Sequence, residues 1–440
     1  MTVVWLDKGV ELVGSAVGCA DGIIAAMPPD LPEPAPPNDA TAASSITQPV
    51  PVLHGLRVLE LGQVLAAPFA GAIFADLGAQ VLKIERVEGG DDARRMGVAF
   101  RHGDALAFQI FNRGKQSIAL DLKSADGLAA FEALAAQADI LVHNLRPGVV
   151  DEMGLGGAAL CARHPRLIYC EISAFGHVGP MQMRPGYEPL VQAYSGLSST
   201  NGGPDDPPIR IGASVCDQGT GMWAVIGALS LLQQRQRTGH GGVVQASLLE
   251  TALVWNAQKA DAWINQGTLP ARHASGHPGF VPYEAFEASD GPFLICCGND
   301  RLFTKLAQAL GQGQWSGDPR FATNQARLQH KPALFDELCP LLRAGSRDHW
   351  MTLFEAVGVP CSPILQVPEV MAQPQVQALG LLQAVPGEDF KLTGLPLSFD
   401  GARPSLAAGA PRLGQHNAAH GLPAPHAMAP DNRRPRDDRS

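Results

Sequence analysis

The stretch Leu56–Arg86, LRVLELGQVLAAPFAGAIFADLGAQVLKIER, decides the fold. The apolar runs Arg57–Leu61 and Gln80–Ile84 are predicted to be β-strands. Between them, Pro68 begins a predicted helix that Gly78 ends. A strand, a helix and a strand in such close succession form a βαβ unit, which pairs its strands in parallel through a right-handed crossover.

The same alternation continues along the chain. Further strands are predicted at Ser117–Asp121, Ile140–His143 and Leu167–Ile172, with a helix at Ala125–Ala136 and a short helical piece near Leu160. This order of elements predicts an α/β fold with a doubly wound, Rossmann-like large domain. A glycine- and proline-rich loop and a predicted β-hairpin then indicate a smaller α+β domain.

Composition divides the chain into four parts. We expect a variable or disordered N-terminal extension, because its second half is rich in Pro, Ala and Ser without periodicity. The predicted parts are residues 1–52 for this extension, 53–265 plus about 366–405 for the large domain, 275–365 for the small domain, and 412–440 for a disordered tail.

Charge and composition exclude several classes of protein. The 440 residues are 45% hydrophobic and 17% charged, and the net charge of −9 gives no reason to expect nucleic acid as a partner. The longest run of apolar and small residues near Cys216, Gly219–Leu232, is too short to span a bilayer, and the N-terminus is a poor signal peptide. Eight cysteines without metal-type spacing favour reduced thiols and no metal site. A cytoplasmic protein without a membrane partner is expected.

Basic residues follow three of the predicted strands. Arg86, Lys123 and Arg146 each lie in a loop that leaves the carboxyl end of a strand. Ligands of doubly wound folds bind at this edge of the sheet. Scattered surface charge is the alternative, but three cations on one edge favour an anionic ligand.

The stretch Arg184–Met222 brings polar residues towards this edge. It begins with a turn that places Tyr187 and Glu188 at the start of a short helix. It continues through a strand-like apolar run, Ile209–Val215, into a long helical run. The stretch therefore resembles another strand-to-helix junction with side chains directed at a site.

Asp217 lies at that junction, where free backbone N–H groups and the helix dipole favour an ionised carboxylate. Gly219 and Gly221 follow it and are expected to leave room for a ligand beside the backbone. An ordinary N-cap aspartate is the alternative interpretation of Asp217. The neighbouring Cys216 has no histidine near it in sequence, which disfavours a nucleophilic thiol.

Six segments, in this order, resemble the family III CoA-transferases, which include formyl-CoA transferase, carnitine CoA-transferase and succinyl-CoA-dependent dicarboxylate CoA-transferases. The likeness covers residues from about 53 to 400. The segments are LRVLELGQVLAAPFAGAIFADLGAQVLKIER at 56–86, FNRGKQSIALDLKSADG at 111–127, DILVHNLRPGVVDEMGL at 139–155, RPGYE at 184–188, CDQGTGMWAVIGAL at 216–229 and RQRTGHGGVVQASLLETAL at 235–253.

The resemblance implies that Asp217 is the catalytic nucleophile. In that family the aspartate attacks an acyl-CoA thioester, forms a mixed anhydride and then carries CoA as an aspartyl thioester. It further implies an acyl-CoA and a small carboxylic acid as substrates, no permanently bound cofactor, and an interlocked homodimer.

Residues that bind CoA or substrate are also implied by the resemblance. Two departures weaken it locally: Glu152 stands where the family commonly has a basic residue, and Leu65 replaces a glutamine of formyl-CoA transferase, which argues against formyl or oxalate chemistry. Glu188 either orients a substrate or is a surface glutamate at a helix start. The implied positions are Leu65, Ala66, Arg86, Leu120, Lys123, Asn144, Leu145, Arg146, Tyr187 and Glu188.

Two other functions compete with CoA transfer. An α-methylacyl-CoA racemase would carry a Gly-His-Asp motif where this chain has Gly186-Tyr187-Glu188, so one partner of a two-base proton exchange is missing. A non-catalytic acyl-CoA-binding protein would not need Asp217.

Overall fold

A computed structural model describes residues 51–424 of the chain. Its centre is a six-stranded sheet in which every neighbouring pair of strands is parallel. The α/β prediction is confirmed. The first eight strands are β1 Arg57–Leu61, β2 Gln80–Glu85, β3 Phe100–Arg101, β4 Asp104–Ala105, β5 Gln116–Ala119, β6 Ile140–His143, β7 Ile168–Ser173 and β8 Gly242–Ser247.

The strand order of the sheet is β5-β2-β1-β6-β7-β8, so the chain builds outward from β1 on one side and then on the other. The order reverses between β1 and β6, since the chain continues from β1 to β2 on one side and from β6 to β7 on the other. A crevice at the carboxyl ends of these two strands is the expected ligand site of such a sheet.

Helices cover both faces of the sheet because neighbouring strand residues are buried on opposite sides. Val58 belongs to a core shared with the first and seventh helices, whereas Leu59 belongs to a core shared with the third and fifth. The helices are α1 Ala66–Asp76, α2 Leu106–Asn112, α3 Ala125–Ala135, α4 Val149–Glu152, α5 Gly157–Arg163, α6 Glu188–Tyr194, α7 Val215–Thr238, α8 Leu248–Trp255 and α9 Ala257–Gln266.

Helix α7 is long and apolar enough to cross a membrane by length and composition. In this fold it packs against α1, α8 and strands β7 and β8.

Residues 281–361 have a hydrophobic core of their own, centred on Phe293, Trp315 and Phe354. The predicted hairpin is confirmed here. The elements are β9 Tyr283–Ala288, β10 Gly291–Cys296, α10 Asp300–Ala309, α11 Asn324–Gln329, α12 Lys331–Arg343, α13 Arg347–Val357 and β11 Cys361–Pro363, with the three strands antiparallel. The division into a large and a small domain stays a prediction.

The chain then returns towards α2, where Val385, Leu392 and Leu406 form a small core that Ile110 packs against. The elements of this part are α14 Val367–Ala372, α15 Pro374–Ala378, β12 Leu382–Ala384 and β13 Lys391–Thr393.

The strand expected at Ile209–Val215 is absent from the described chain. The buried side chain of Gln192 takes the hydrogen bonds that a neighbouring strand would supply. Its Oε1 accepts from the Ile211 N–H at 2.8 Å, and its Nε2 donates to the Ile211 carbonyl at 3.3 Å. The segment before α7 therefore has no regular secondary structure, and these hydrogen bonds fix its backbone.

The tail expected to be disordered over 412–440 is ordered in its first part. Asn417 is 2% exposed, and its side-chain amide pairs with the backbone of Ala119 on β5. The expectation was wrong for residues 412–424 because the edge of β5 offers unpaired backbone groups that local sequence does not reveal. Residues 425–440, and residues 1–50 of the predicted extension, lie outside the described part.

Candidate active site

Asp217 lies in the first turn of α7, and a glutamate from another helix caps that turn. The N-cap residue is Ser214, whose side chain makes no capping hydrogen bond. Instead, the carboxylate of Glu188 at the start of α6 accepts from the Cys216 N–H and the Asp217 N–H, both at 3.0 Å. Asp217 is not the N-cap residue, and the strand-to-helix junction expected here is a loop-to-helix junction.

Glu188 is 4% exposed, so the alternative of a surface glutamate is wrong. The amide of Gln192, one helical turn later on α6, donates to Glu188 Oε1 at 2.9 Å. The same side chain binds the Ile211 backbone, as described above. Glu188 and Gln192 therefore fix the chain on both sides of Ser214 and hold the Asp217 backbone in place.

The pKa of Asp217 is raised to about 7 by burial, by the charge of Glu188 and by a hydrogen bond with it. The helix N-terminus favours the carboxylate form, as expected, but desolvation outweighs it. A carboxyl group that titrates near neutral pH beside a cavity is a frequent feature of catalytic sites.

The neighbouring Cys216 does not titrate near neutral pH. Its side chain is buried, and burial together with Glu188 and Asp217 raises the pKa of the thiol to about 12. The thiolate is therefore scarce at neutral pH, and the nucleophilic group of this turn is the carboxylate.

The two glycines after Asp217 serve helix packing rather than ligand access. A Cβ atom at Gly219 would lie 2.7 Å from Thr251 Cγ2 of α8, and one at Gly221 would lie 2.6 Å from the Ala66 carbonyl at the start of α1. The expectation of a gap beside the backbone was wrong, since neighbouring helices fill it. Gly221 instead lets the loop before α1 approach the helix that carries Asp217.

Replacing Gly221 by Ala is expected to destabilise the protein by about 1–3 kcal/mol, because the added carbon meets backbone that cannot move without displacing α1. Urea denaturation measures the change. Gly298→Ala is the matched control, since a Cβ there meets nothing within 4 Å. Equal stability of the two variants would contradict this packing role.

The loop between β1 and α1 is held in place by hydrogen bonds to side chains of other segments. Val64 has a positive φ of 63°, a strained conformation for a β-branched residue, and its N–H donates to Asp91 Oδ1 at 3.0 Å. The Gly62 carbonyl accepts from Lys83 Nζ at 2.9 Å. The Asn144 amide, from the loop after β6, binds both the N–H and the carbonyl of Gln63 at 2.8 Å.

Asp91 and Lys83, which make the first two of these contacts, belong to a fully buried ion network. Lys83 Nζ lies 2.8 Å from Glu60 Oε1 and 2.9 Å from Asp91 Oδ2, while Lys115 Nζ lies 2.5 Å from Glu60 Oε2. Burial lowers the pKa of both lysines, but for Lys83 the carboxylates outweigh burial and its pKa is raised. For Lys115 burial prevails, and its pKa falls to about 8.

Two adjoining cavities open at the carboxyl ends of β1 and β6, and together they are lined by every residue predicted for the site. The first has a volume of about 520 Å³ and is lined by Asp217, Leu65, Ala66, Asn144, Leu145, Arg146, Tyr187 and Glu188. The second has a volume of about 930 Å³ and is lined by Arg86, Leu120, Lys123 and again Leu145. Gln63, Leu145 and Val149 line both.

Some of the predicted residues also have contacts within the chain, and sequence reasoning missed others. The Asn144 amide is occupied by the Gln63 backbone, so Asn144 positions the loop. Arg86 donates to the Gly90 carbonyl at 2.8 Å and to Asp92 Oδ1 at 2.5 Å. Arg184 lines the first cavity with its guanidinium over the Phe175 ring at 5.4 Å, and its place in the turn before Tyr187 was the available signal.

Comparison with known proteins decides the family. The sequence model described as CoA-transferase family III matches residues 53–417. The chain belongs to this family. It is 38% identical to the acetyl-CoA:oxalate CoA-transferase of Acetobacter aceti, over 83% of this chain and 94% of that protein. It is 35% identical to the succinate–glutarate CoA-transferase of Agrobacterium fabrum, over 84% and 94% of the two chains.

The fold of a solved family member agrees. The crystal structure of a CAIB/BAIF family protein from Brucella suis has a TM-score of 0.77 and 37% identity, and the match covers 83% of this chain and 97% of that one. Family membership confirms the predicted resemblance, and it makes CoA transfer the class of reaction. The ligand roles assigned to individual family III positions in this chain stay predictions.

Proposed function

We propose that this enzyme transfers CoA from an acyl-CoA donor to a carboxylic acid, with Asp217 as the covalent nucleophile. The observation that carries the proposal is that the Asp217 carboxyl lines the first cavity while Glu188 holds its backbone. The second cavity, which continues from the first, offers room for the rest of a long thioester substrate.

The reaction follows from the nucleophilicity of a desolvated carboxylate. An oxygen of Asp217 attacks the acyl carbon of the donor, the C–S bond breaks, and an acyl–aspartyl anhydride and CoA thiolate result. The thiolate attacks the aspartyl carbon, which releases the donor acid and leaves an aspartyl–CoA thioester. The acceptor carboxylate then attacks the carbonyl carbon of this thioester, which expels the CoA thiolate and forms an acceptor–aspartyl anhydride. The thiolate attacks the acceptor's acyl carbon in this anhydride, which gives the CoA thioester of the acceptor and frees the Asp217 carboxylate.

Trapping of the intermediate tests the proposal. Incubation with succinyl-CoA followed by borohydride should reduce the aspartyl thioester, and peptide mass spectrometry should place the mass change of the resulting alcohol at Asp217. Asp205→Asn, which changes an exposed aspartate outside both cavities, is the matched control and should label normally. Modification at another residue would sink the assignment.

The pH dependence of kcat/KM should report the ionisation of Asp217. Since only the carboxylate is nucleophilic and its pKa is raised to about 7, we expect kcat/KM to rise about tenfold per pH unit below pH 7 and to level off above it. Glu188→Gln removes the neighbouring charge but keeps an oxygen acceptor. It should therefore shift the rising part of the kcat/KM profile to lower pH. An unchanged profile would contradict the electrostatic coupling between Glu188 and Asp217.

We further propose a dicarboxylic acid as the acceptor. Arg146 and Arg184 both line the first cavity, and within residues 51–424 neither forms a salt bridge. One guanidinium can bind the carboxylate that does not react, through paired hydrogen bonds. The names of the related enzymes include oxalate, glutarate and malate, which are dicarboxylates. A panel of mono- and dicarboxylic acids, followed by mass spectrometry of the CoA products, tests this preference.

A homodimer, which the family resemblance implied, is also proposed. Large apolar side chains stay exposed on three successive helices, among them Ile226 of α7, Val254 of α8 and Ile264 of α9 at 50%, 55% and 74%. Exposed apolar surface on this scale is typical of an interface between proteins. Light scattering measures the mass in solution, and a monomer would contradict the proposal.

A further inference from the structure

The C-terminal strap, residues 414–424, is tied to the free edge of the central sheet. The Asn417 amide accepts from the Ala119 N–H at 2.9 Å and donates to the Ala119 carbonyl at 3.0 Å. The His416 N–H donates to the Ser117 carbonyl at 3.0 Å. These bonds occupy the edge of β5 that a seventh strand would otherwise take, and they fix the course of the strap.

The end of the strap turns towards the second cavity. Asn417 Nδ2 also donates to the Pro423 carbonyl at 2.7 Å, which folds the chain back on itself. Leu422 packs against the core that contains Leu120. Leu422, Pro423 and Ala424 then line the cavity of about 930 Å³, together with Arg86 and Lys123.

The position of this cavity relative to Asp217 indicates which part of a substrate reaches it. The thioester carbon has to lie within bonding reach of Asp217, in the first cavity. The pantetheine arm and the nucleotide of CoA extend away from that carbon. Gln63, Leu145 and Val149 border both cavities, so the path from the thioester leads past them to the second.

We propose that the strap forms one wall of the CoA binding site and contacts the nucleotide part of CoA. This inference rests on the proposed function. Leu422 and Pro423 offer apolar surface to the adenine ring. Lys123 and Arg86 are the cations of this cavity that pair with phosphate oxygens, and Arg86 does so alongside its contacts to Gly90 and Asp92. Asp121 and Asp126, which also line the cavity, supply carboxylate acceptors for the free 2′-hydroxyl group of the ribose.

Equilibrium binding of two thiols to the full chain tests the strap. Free CoA carries the nucleotide and pantetheine lacks it, so titration calorimetry with both separates contacts to the nucleotide from contacts to the arm. Pro423→Asp and Ala424→Asp place a carboxylate at exposed positions of the wall, and neither removes a backbone carbonyl. We expect each to raise the Kd of CoA about tenfold and to leave the Kd of pantetheine unchanged.

His420→Ala is the matched control within the strap. Its ring contacts the Gln116 side chain on β5 at 3.0 Å, and neither residue lines the second cavity. This variant should bind CoA as the wild type does. It reports whether a loosened strap without any change of the wall is enough to weaken binding.

Three results would overturn the inference. They are an unchanged Kd of CoA in both aspartate variants, an equal loss of affinity for CoA and pantetheine, and the same loss in His420→Ala. Selective weakening for CoA supports the inference even where the wild type transfers no CoA, a result that would sink only the proposed function. If the wild type transfers CoA normally but the aspartate variants bind CoA with unchanged affinity, only the role of the strap is refuted.

Discussion

Replacing Asp217 by Asn is expected to lower kcat by at least about 10⁴-fold, because the amide cannot form the anhydride or carry CoA. The side chain keeps its size, and the backbone N–H that binds Glu188 is unchanged. CoA should therefore still bind with nearly wild-type affinity. Steady-state kinetics with the purified variant measures the first effect, and calorimetry measures the second.

The same variant should be more stable than the wild type in alkaline solution. The pKa of Asp217 is raised from an ordinary 3.8 to about 7, so between these values the folded protein holds a proton that the unfolded chain has lost. Stability of the wild type therefore falls as the pH rises through this window, and the loss is complete above pH 7. Asparagine does not titrate, so Asp217→Asn should melt at a higher temperature at pH 8.

The stability comparison has its own internal control. At about pH 2.5, well below the ordinary pKa of 3.8, Asp217 is protonated in both the folded and the unfolded state, so the advantage of the asparagine variant should vanish there. Asp205→Asn, at an exposed position, should match the wild type at both pH values. A variant with wild-type kcat would end the proposal for Asp217, and a variant without an alkaline stability gain would contradict the burial of its charge.

Replacing Lys83 by Met is expected to destabilise the protein by about 3–5 kcal/mol, since it leaves Asp91 and one oxygen of Glu60 buried without their cation. All three side chains are at most 1% exposed, so water cannot take the place of the ammonium group. The Gly62 carbonyl loses its donor as well. Since the loop that follows β1 lines both cavities, kcat/KM should also fall.

Lys331→Met supplies the matched control for this prediction. Lys331 also pairs with a glutamate, Glu284, with the two atoms 2.5 Å apart, but its side chain is 37% exposed. An exposed pair of this kind contributes about 0–1 kcal/mol, so its loss should hardly change the urea midpoint. Similar midpoints for the two methionine variants would show that the buried network does not hold the β1–α1 loop.

Local sequence patterns were enough for most of the fold. The strand β1 and the strand β6 were predicted with the boundaries that the structure has, because apolar runs bounded by turn residues leave few alternatives. The residues from Leu248 to Gln266 by themselves predict one long helix, but the structure divides it at Asn256, whose backbone leaves the helical region. Its side chain faces Gly196 and Thr200 of another segment, a contact that helical periodicity does not contain.

The candidate site was predictable where it lies on strand ends. Parallel strands place their carboxyl ends at one edge, so the loops after β1, β2, β5 and β6 had to meet, and the cavities lie there. Gly219 and Gly221 show the limit of this reasoning. A glycine indicates close approach, but the approaching atoms belong to Thr251 and Ala66, and only the packing of the helices identifies them.

The sequence by itself determined the parallel sheet, the edge at which a ligand is expected and the family of the chain. Through the family resemblance it also pointed to Asp217 as the expected nucleophile. Only the tertiary structure decided that Glu188 caps the turn of Asp217 and raises its pKa, since the two residues are joined by burial and geometry rather than by spacing. It also decided that Asn417 holds the C-terminal strap to β5. The desolvation of a carboxyl group depends on which distant residues exclude water from it, and the pairing of an edge strand depends on which of its backbone groups lack partners. Both are known only once the chain has folded.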